Sequence, residues 1–344
     1  MEDAFCGATA FRYYRTPPQV LLQYPCLPAS VDRATRIVLH EHPLVEDVLG
    51  LPLNRLVFTQ NERTNAQLLL SHLWTGELPA GAIIEEPVIG TVTSPLFTLF
   101  TLARAFEPIE LALAMHEMCG EFAVFEPPRE LESAIAPSLY GWQRVRDGSG
   151  NLTSLWMRPA PVQLEELIPF GESLRGRRGY RTFLAAAKMV QGVTRSPYEV
   201  QAAMLLGLPR RSGGYGFNVQ TNKTIPLSKA SKKLAQRDYC VADIYIESAA
   251  TGRAIDIECQ GAAIHSSLGA SASDADRTTA LQAEGVSVAL LSYAQLVDPA
   301  RMRLFCEYVA RELREKLVPK TDRMEAAEQD LRRKILRDWR SVCS

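Results

Sequence analysis

The chain has 344 residues, enough for two domains, and its 47% hydrophobic and 22% charged residues are typical of a globular protein in aqueous solution. The net charge of −1 neither favours nor excludes a nucleic-acid partner, because binding depends on local charge. The N-terminus has no signal-peptide pattern and no apolar stretch approaches the roughly 18 residues that span a membrane, so we expect a cytoplasmic protein.

Residues 1–165 predict a separate, smaller α+β domain. Apolar strand patterns at 55–59 and 82–89 are followed by two helical patterns. Ser94 and the proline after it predict the start of the first helix, because serine is a good N-cap and proline is tolerated at the first helical position. The second helix is predicted over 108–119, where a glycine follows its last residue.

The rest of the chain predicts a second domain at 166–318 and a charged C-terminal helix within 319–344. A segment rich in glycine, proline and charged residues at 143–163 predicts a hairpin turn and a linker between the two domains. In the C-terminal helix, Leu331, Ile335 and Trp339 recur at helical spacing, so we expect them on one face. This helix is a possible surface for a homodimer or another protein partner.

Two strand patterns in the second domain carry acidic residues. The pattern after Tyr239 contains Asp243, and the pattern that ends at Gln260 contains Asp256 and Glu258. A turn at 248–253 separates the two patterns, so we expect a hairpin with Asp243 and Glu258 at one sheet edge. Asp256 lies on the same face as Glu258 and is either a further ligand or a solvated residue, of which we favour the second.

Two carboxylates on rigid strands form an oxygen-rich site that suits Mg²⁺ or Mn²⁺. A zinc site is not indicated, because the seven cysteines include no CxxC pair. Exposed carboxylates at strand ends are the alternative to metal ligands. Glu199 follows Ser196 and Pro197 at a predicted helix start, where it either stabilises the first turn or faces the carboxylate site.

The order of these residues resembles the PD-(D/E)XK nuclease superfamily, and within it the endonuclease-like domains related to very-short-patch repair enzymes. The resemblance covers about residues 190–298, and its pieces are Ser196-Pro197-Tyr198-Glu199, Asp243, Glu258-Cys259-Gln260-Gly261, His265, Asp274-Ala275-Asp276-Arg277 and Gly285-Val286-Ser287-Val288. It implies an α/β fold with a restriction-endonuclease-like central mixed sheet flanked by helices.

The resemblance also implies a divalent-metal-dependent DNA endonuclease, in a phage-defence, mobile-element or repair setting. Asp243, Glu258 and the Cys259 carbonyl would hold Mg²⁺ or Mn²⁺, Gln260 would orient the attacking water, and Glu199 and His265 would assist. Such domains usually carry Asp where this chain has Gln260. A neutral amide is the weaker ligand, which leaves a non-catalytic, nucleic-acid-binding regulator as the alternative.

The N-terminal half carries a second resemblance, to AbiEi-type antitoxin and regulator proteins. It rests on the stretch Thr91–Leu99 with the helix after it, and on Cys6–Arg12. This resemblance implies binding or regulation rather than chemistry for the first domain. It is consistent with the antitoxin-like alternative for the whole chain.

Basic residues in the second domain indicate DNA as the partner. Arg210 and Arg211 stand beside a tyrosine, a combination that suits phosphate pairing and base stacking. Arg277 either contacts phosphate or pairs with an acidic residue of the core. The glycines at 213–216 are not followed by Gly-Lys-Ser/Thr, so they do not form a P-loop and we expect no nucleotide cofactor.

Overall fold

The computed structural model describes residues 3–28, 39, 41–260 and 268–343. Its contacts divide the chain into two units. The first consists of Met1–Val145, Ser154–Lys188 and Asp338–Ser344, and the second of Arg146–Thr153 and Met189–Arg337. Both contain helices and strands, and three mixed sheets flanked by helices make this an α/β protein.

The unit boundaries differ from the predicted boundaries at 165 and 318. Phe170 and Phe183 lie on two helices that follow residue 165, and their rings pack against Phe100 at centroid distances of 6.4 and 5.5 Å. The aromatic core of the first unit therefore extends to Lys188. The segment at 143–163 was predicted as a hairpin turn and a linker. It contains a turn between two neighbouring strands of one sheet, Trp142–Arg146 and Leu152–Met157, rather than a linker between the units.

The first unit has a six-stranded sheet of order β3-β4-β2-β1-β6-β5 and a four-stranded sheet of order β7-β10-β9-β8. The strands are β1 (Ala4–Phe5), β2 (Leu53–Val57), β3 (Asn65–Ala66), β4 (Leu69–Leu73), β5 (Ile83–Glu86), β6 (Gly90–Thr93), β7 (Phe122–Val124), β8 (Ser138–Leu139), β9 (Trp142–Arg146) and β10 (Leu152–Met157). The helices are α1 (Gly7–Arg15), α2 (Pro18–Leu21), α3 (Pro95–Leu102), α4 (Pro108–Cys119), α5 (Leu167–Ser173) and α6 (Tyr180–Ala187).

The second unit is built on one four-stranded sheet of order β11-β12-β13-β14. Its elements in chain order are α7 (Pro197–Gly207), β11 (Val219–Pro226), α8 (Lys229–Ala235), β12 (Tyr239–Glu247), β13 (Ala254–Gln260), α9 (Leu268–Ala283), β14 (Val286–Ser292), α10 (Tyr293–Val297), α11 (Pro299–Glu312) and α12 (Asp322–Ile335). The first three strands are antiparallel, and β14 is parallel to β13. A parallel neighbour requires a crossover, and α9 lies within it.

Local signals in the sequence predicted several of these elements. Helix α4 spans the residues predicted for it. Helix α7 begins after Ser196, whose hydroxyl accepts a hydrogen bond from the Glu199 amide at 3.2 Å. Strands β12 and β13 form the predicted hairpin, with Ile244 opposite Ile257. Each of these features depends on residues close together in the chain, which explains why pattern alone identified them.

One predicted helix boundary was wrong. Helix α12 ends at Ile335, so Trp339 is not part of its apolar face but lies in a short 3-10 turn capped by Asp338. Trp339 packs instead in the first unit, against Phe122. Within the described part of the chain, no helix is long and apolar enough to cross a membrane.

Candidate active site

Asp243 and Glu258 face each other across the β12–β13 hairpin. The register that pairs Ile244 with Ile257 places Asp243 opposite Glu258 one position further along. Residues opposite each other in antiparallel strands project from the same face, with Cβ atoms about 4.5–5.5 Å apart. At this point an Asp243 oxygen, Oδ2, accepts a hydrogen bond from the Cys259 amide at 3.0 Å. The side chain is thereby fixed next to Glu258.

The sequence places these carboxylates on the face opposite an apolar one. Ile244, Ile246, Ile255 and Ile257 are almost completely buried on the other side of the hairpin. Strand geometry then forces the alternate positions, Asp243 among them, to the opposite face. The register therefore places the two acidic residues side by side on one face. Strands β12 and β13 are the two central strands of the sheet, so this position differs from the sheet edge expected from the sequence.

Asp256 is completely buried, so the expectation that it is solvated was wrong. Arg277 from α9 lies over this face and donates to the Asp256 oxygen Oδ2 at 3.1 Å. Burial, followed by the negative charge of Glu258, raises the pKa of Asp256 to about 10. Its carboxyl group is therefore protonated at neutral pH.

Arg277 is engaged by the acidic residues of the core. Its Nη2 donates to the Glu258 oxygen Oε1 at 2.5 Å and to the Val241 carbonyl at 2.7 Å, in addition to Asp256. Of the two alternatives stated for Arg277, contact with phosphate or pairing with an acidic residue of the core, the structure shows the pairing. It holds the Glu258 carboxylate in one orientation.

Glu199 combines both roles considered for it. It is 7% exposed at the start of α7, and its carboxylate accepts hydrogen bonds from the Arg195 amide at 2.8 Å and the Ser196 hydroxyl at 2.9 Å. Burial, followed by the charge of Asp243, raises the pKa of Glu199 to about 7. It therefore closes the first helical turn and also lies within electrostatic range of the strand carboxylates.

The surroundings of Asp243 disfavour its charged form. Burial and the charge of Glu258 raise the pKa of Asp243 to about 6, although the Cys259 amide, Arg277 and Arg195 oppose this shift. The sequence analysis did not identify Arg195 as a positive charge that acts on Asp243. Its position directly before the Ser-Pro helix start was the available signal.

Gln260, His265, Arg210 and Arg211 are not joined to this group of acidic residues by any contact among the described residues, whereas Cys259 is joined to it through its amide. Gln260 ends β13, paired in register with Ser292, and its side chain is outside the described part of the structure, as is His265 altogether. Arg210 donates to the Pro319 carbonyl, and Arg211 beside it is exposed. Burial, followed by the charge of Asp243, raises the pKa of the Cys259 thiol well above its usual value, so Cys259 offers its carbonyl rather than a thiolate.

The glycines after Arg211 have a packing explanation. Gly213 has a φ of +95°, and a Cβ added there would lie 2.4 Å from the Ala327 carbonyl oxygen on α12. A residue with a side chain would meet both backbone strain and a clash. These glycines therefore allow close approach of two backbones.

The donor set suits a hard cation. In the described parts of the chain, no group of three or more His, Cys, Asp or Glu side chains is arranged to hold a metal ion. Mg²⁺ is usually bound by only one or two protein carboxylates, with water and substrate phosphate completing its octahedron. Asp243 and Glu258 supply two carboxylates. Burial and then the charge of Glu258 raise the pKa of Asp243, and a cation between them would relieve the second of these causes. The residues present therefore fit Mg²⁺ or Mn²⁺.

Comparisons of the chain with models of known protein families, with curated proteins and with solved structures found no match.

Proposed function

We propose that the chain is a divalent-metal-dependent DNA endonuclease of the PD-(D/E)XK type. The observation that carries the proposal is the pair of carboxylates, Asp243 and Glu258, placed opposite each other on a hairpin with Glu199 within electrostatic range. Further support comes from the order of elements. The pieces of the resemblance that fall in the described residues lie on a helix, two strands, a helix and a strand, as the resemblance requires.

In this proposal Asp243, Glu258 and the Cys259 carbonyl hold the metal ion. When bound, Mg²⁺ polarises the scissile phosphate and lowers the pKa of the attacking water. The chain's own groups prepare that chemistry: the Cys259 amide orients Asp243, and Arg277 holds Glu258 in place. A group with a pKa of about 7 exchanges protons readily near neutral pH, so Glu199 would assist the strand carboxylates from the start of α7. Gln260 orients the attacking water.

A specific observation favours a second function, a DNA-binding regulator that keeps the fold without the chemistry. Glu258 is already paired with Arg277 at 2.5 Å, so its charge is partly satisfied without a metal ion. The neutral Gln260 in place of the usual Asp is consistent with this alternative. The endonuclease should cleave DNA, whereas the regulator should bind DNA without cleaving it.

The test uses the full-length chain with plasmid and linear DNA, in Mg²⁺, in Mn²⁺ and in chelator. We expect cleavage in either metal and none in chelator. Asp243→Asn and Glu258→Gln should reduce the rate by roughly 100-fold or more, since even the outer partners of metal ligands account for about 10–100-fold. Gln260→Asp should maintain or raise the rate.

Glu247→Gln is the matched control, because Glu247 is an exposed carboxylate at the end of the same strand as Asp243. Its rate should equal that of the wild type. As a readout besides activity, Mg²⁺ should raise the unfolding temperature of the wild type but not of Asp243→Asn. DNA binding without cleavage in either metal would favour the regulator, and cleavage that survives both carboxylate substitutions would place the reaction elsewhere.

A further inference from the structure

Four arginines of the first unit gather around one short segment, residues 71–75. Arg104 Nη1 donates to the Leu73 carbonyl at 3.1 Å, and Arg177 Nη1 donates to the Thr75 carbonyl at 2.5 Å. Arg63 precedes Thr64, whose carbonyl accepts from the Ser71 amide at 3.0 Å. Arg178 follows Arg177. We call these four residues, Arg63, Arg104, Arg177 and Arg178, the arginine cluster.

Close backbone packing fixes the cluster. A Cβ added to Gly179, which has a φ of +96°, would lie 3.2 Å from the backbone of Ala103, the neighbour of Arg104. A Cβ added to Gly76, with a φ of +88°, would lie 2.8 Å from the Arg177 guanidinium. Both glycines therefore allow the loop at 176–179 to approach the end of α3 and the segment at 71–75. Arg177 also lies over the Trp74 ring, 5.2 Å from its centroid.

Among the ion pairs of the described residues, none neutralises the cluster: none involves any of its four arginines, and the two that make hydrogen bonds make them to neutral carbonyls. Glu62, which adjoins Arg63 in the chain, accepts instead from the amides of Phe58 and Thr59. Arg63 and Arg178 are exposed. The cluster is thus a concentration of positive charge in a protein whose formal net charge is −1.

The electrostatics of neighbouring groups agree with this geometry. Burial lowers the pKa of Arg104, and the positive charges of Arg178 and Arg63 lower it further. His72 has a pKa of about 4, because of burial and the charges of Arg104 and Arg178, so the imidazole is neutral and adds no further charge. Positive groups held close enough to repel one another are stabilised when an anion binds between them.

We propose that the arginine cluster binds the phosphate backbone of DNA, as a contact surface separate from the carboxylate site. Arginine presents a planar array of donors that matches phosphate geometry. Two of the guanidiniums are held by carbonyls two residues apart, about 6–7 Å along an extended chain. That spacing suits successive phosphates of a polymer better than a single small anion. The inference rests on the proposed function only in naming DNA as the nucleic acid.

The test measures binding of the full-length chain to a fluorescent DNA duplex of 30 base pairs in chelator, so that cleavage does not interfere. The double variant Arg63→Gln/Arg178→Gln removes the two exposed arginines of the cluster and keeps Arg104 and Arg177, which donate to backbone carbonyls. We expect its affinity to fall by about tenfold or more, and the slope of log affinity against log salt to become shallower by about two, close to 0.9 per lost phosphate contact.

The matched control, Arg175→Gln/Arg333→Gln, removes the same charge from two exposed arginines that are paired with Glu172 and Asp330. It should bind with the wild-type slope. Wild-type binding by the cluster variant, or equal losses in both variants, overturns the inference, as does an absence of DNA binding by the wild type. Competition by millimolar inorganic phosphate at constant ionic strength would indicate a small-anion site and also overturn it.

Failure of this inference and failure of the proposed function can be told apart. A chain that binds DNA through the cluster but cuts it in neither metal contradicts the endonuclease proposal alone. A chain that cuts DNA in Mg²⁺ while the cluster variant binds normally contradicts the inference alone.

Discussion

Burial, more than residue type, sets the ionisation of the acidic residues in the second unit. Asp243, Asp256 and Glu199 all have raised pKa values, and burial is the largest cause for each. The sequence predicted that Asp243 and Glu258 lie close together, because the alternation of apolar and polar residues and the short turn between the strands determine their positions. It did not predict the burial of Asp256, because that depends on Arg277 from a helix distant in the chain.

The raised pKa of Glu199 predicts a specific dependence of stability on pH. The folded chain holds this proton up to about pH 7, whereas the unfolded chain loses it near 4.5. The folded state therefore binds more protons in this interval, and its stability falls as pH rises through it. At about 1.4 kcal/mol per pKa unit, the contribution of Glu199 to this loss is roughly 3 kcal/mol.

We expect Glu199→Gln to remove this part of the dependence. Chemical unfolding should be measured between pH 5 and 8, in chelator, by circular dichroism. The free energy of unfolding of the variant should increase relative to that of the wild type as pH rises. Glu247→Gln, an exposed carboxylate of the same unit, should keep the wild-type profile. A constant difference between Glu199→Gln and wild type across this range would contradict the assigned pKa.

At the scale of elements, the hairpin and the capped helices were predictable because their signals are local. The end of α12 was not predictable in this way. The charged helical pattern of the sequence continues past Ile335, but the helix ends at that residue. Contacts with distant residues decide that boundary. Trp339 Nε1 donates to Glu117 on α4 at 2.6 Å, which fixes the residues after the helix in the first unit.

Helix α12 is held in the second unit by a buried charge network, and removing its centre should be costly. Glu328 accepts from Lys320 Nζ at 2.7 Å and from Arg332 Nε at 2.8 Å. Glu328→Ala leaves two cations without their carboxylate, so we expect a loss of about 3–5 kcal/mol in unfolding free energy. Glu325→Ala changes an exposed carboxylate on the same helix and should cost less than about 0.5 kcal/mol. Equal effects in a urea titration would show that the network adds no stability.

Trp339 should contribute strongly to the first unit. Its ring is buried 5.7 Å from the Phe122 ring, and its indole N–H is bonded to Glu117. Trp339→Ala should cost about 3–5 kcal/mol, as expected for a large buried side chain. Trp339→Phe keeps most of the ring contact and loses the hydrogen bond, so it should cost clearly less. If both variants unfold like the wild type, the C-terminal segment does not stabilise this unit.

At the scale of the whole molecule, the tryptophans make the two units separately observable. All four, Trp74, Trp142, Trp156 and Trp339, belong to the first unit. Fluorescence therefore follows the first unit alone, whereas circular dichroism follows both. Glu328→Ala should shift only the dichroism transition, and Trp339→Ala should mainly shift the fluorescence transition of the three remaining tryptophans.

Two fragments with different boundaries test the division of the chain. A fragment of residues 189–337 contains the complete β11–β14 sheet and its helices, so we expect it to fold cooperatively and without tryptophan fluorescence. A fragment that begins at the boundary predicted from sequence, 166–344, also carries Phe170, Phe183 and Trp339 without the core that buries them. Exposed apolar groups of this size promote association.

We therefore expect 189–337 to be monodisperse and to bind Mg²⁺, with a higher unfolding temperature in the metal, and 166–344 to aggregate. Size-exclusion chromatography and thermal unfolding with and without Mg²⁺ measure both properties. The fragment should also bind DNA more weakly than the full chain, since it lacks the arginine cluster. If 166–344 is the better behaved fragment, the aromatic residues after 165 do not need the first unit, and the boundary predicted from sequence is the correct one.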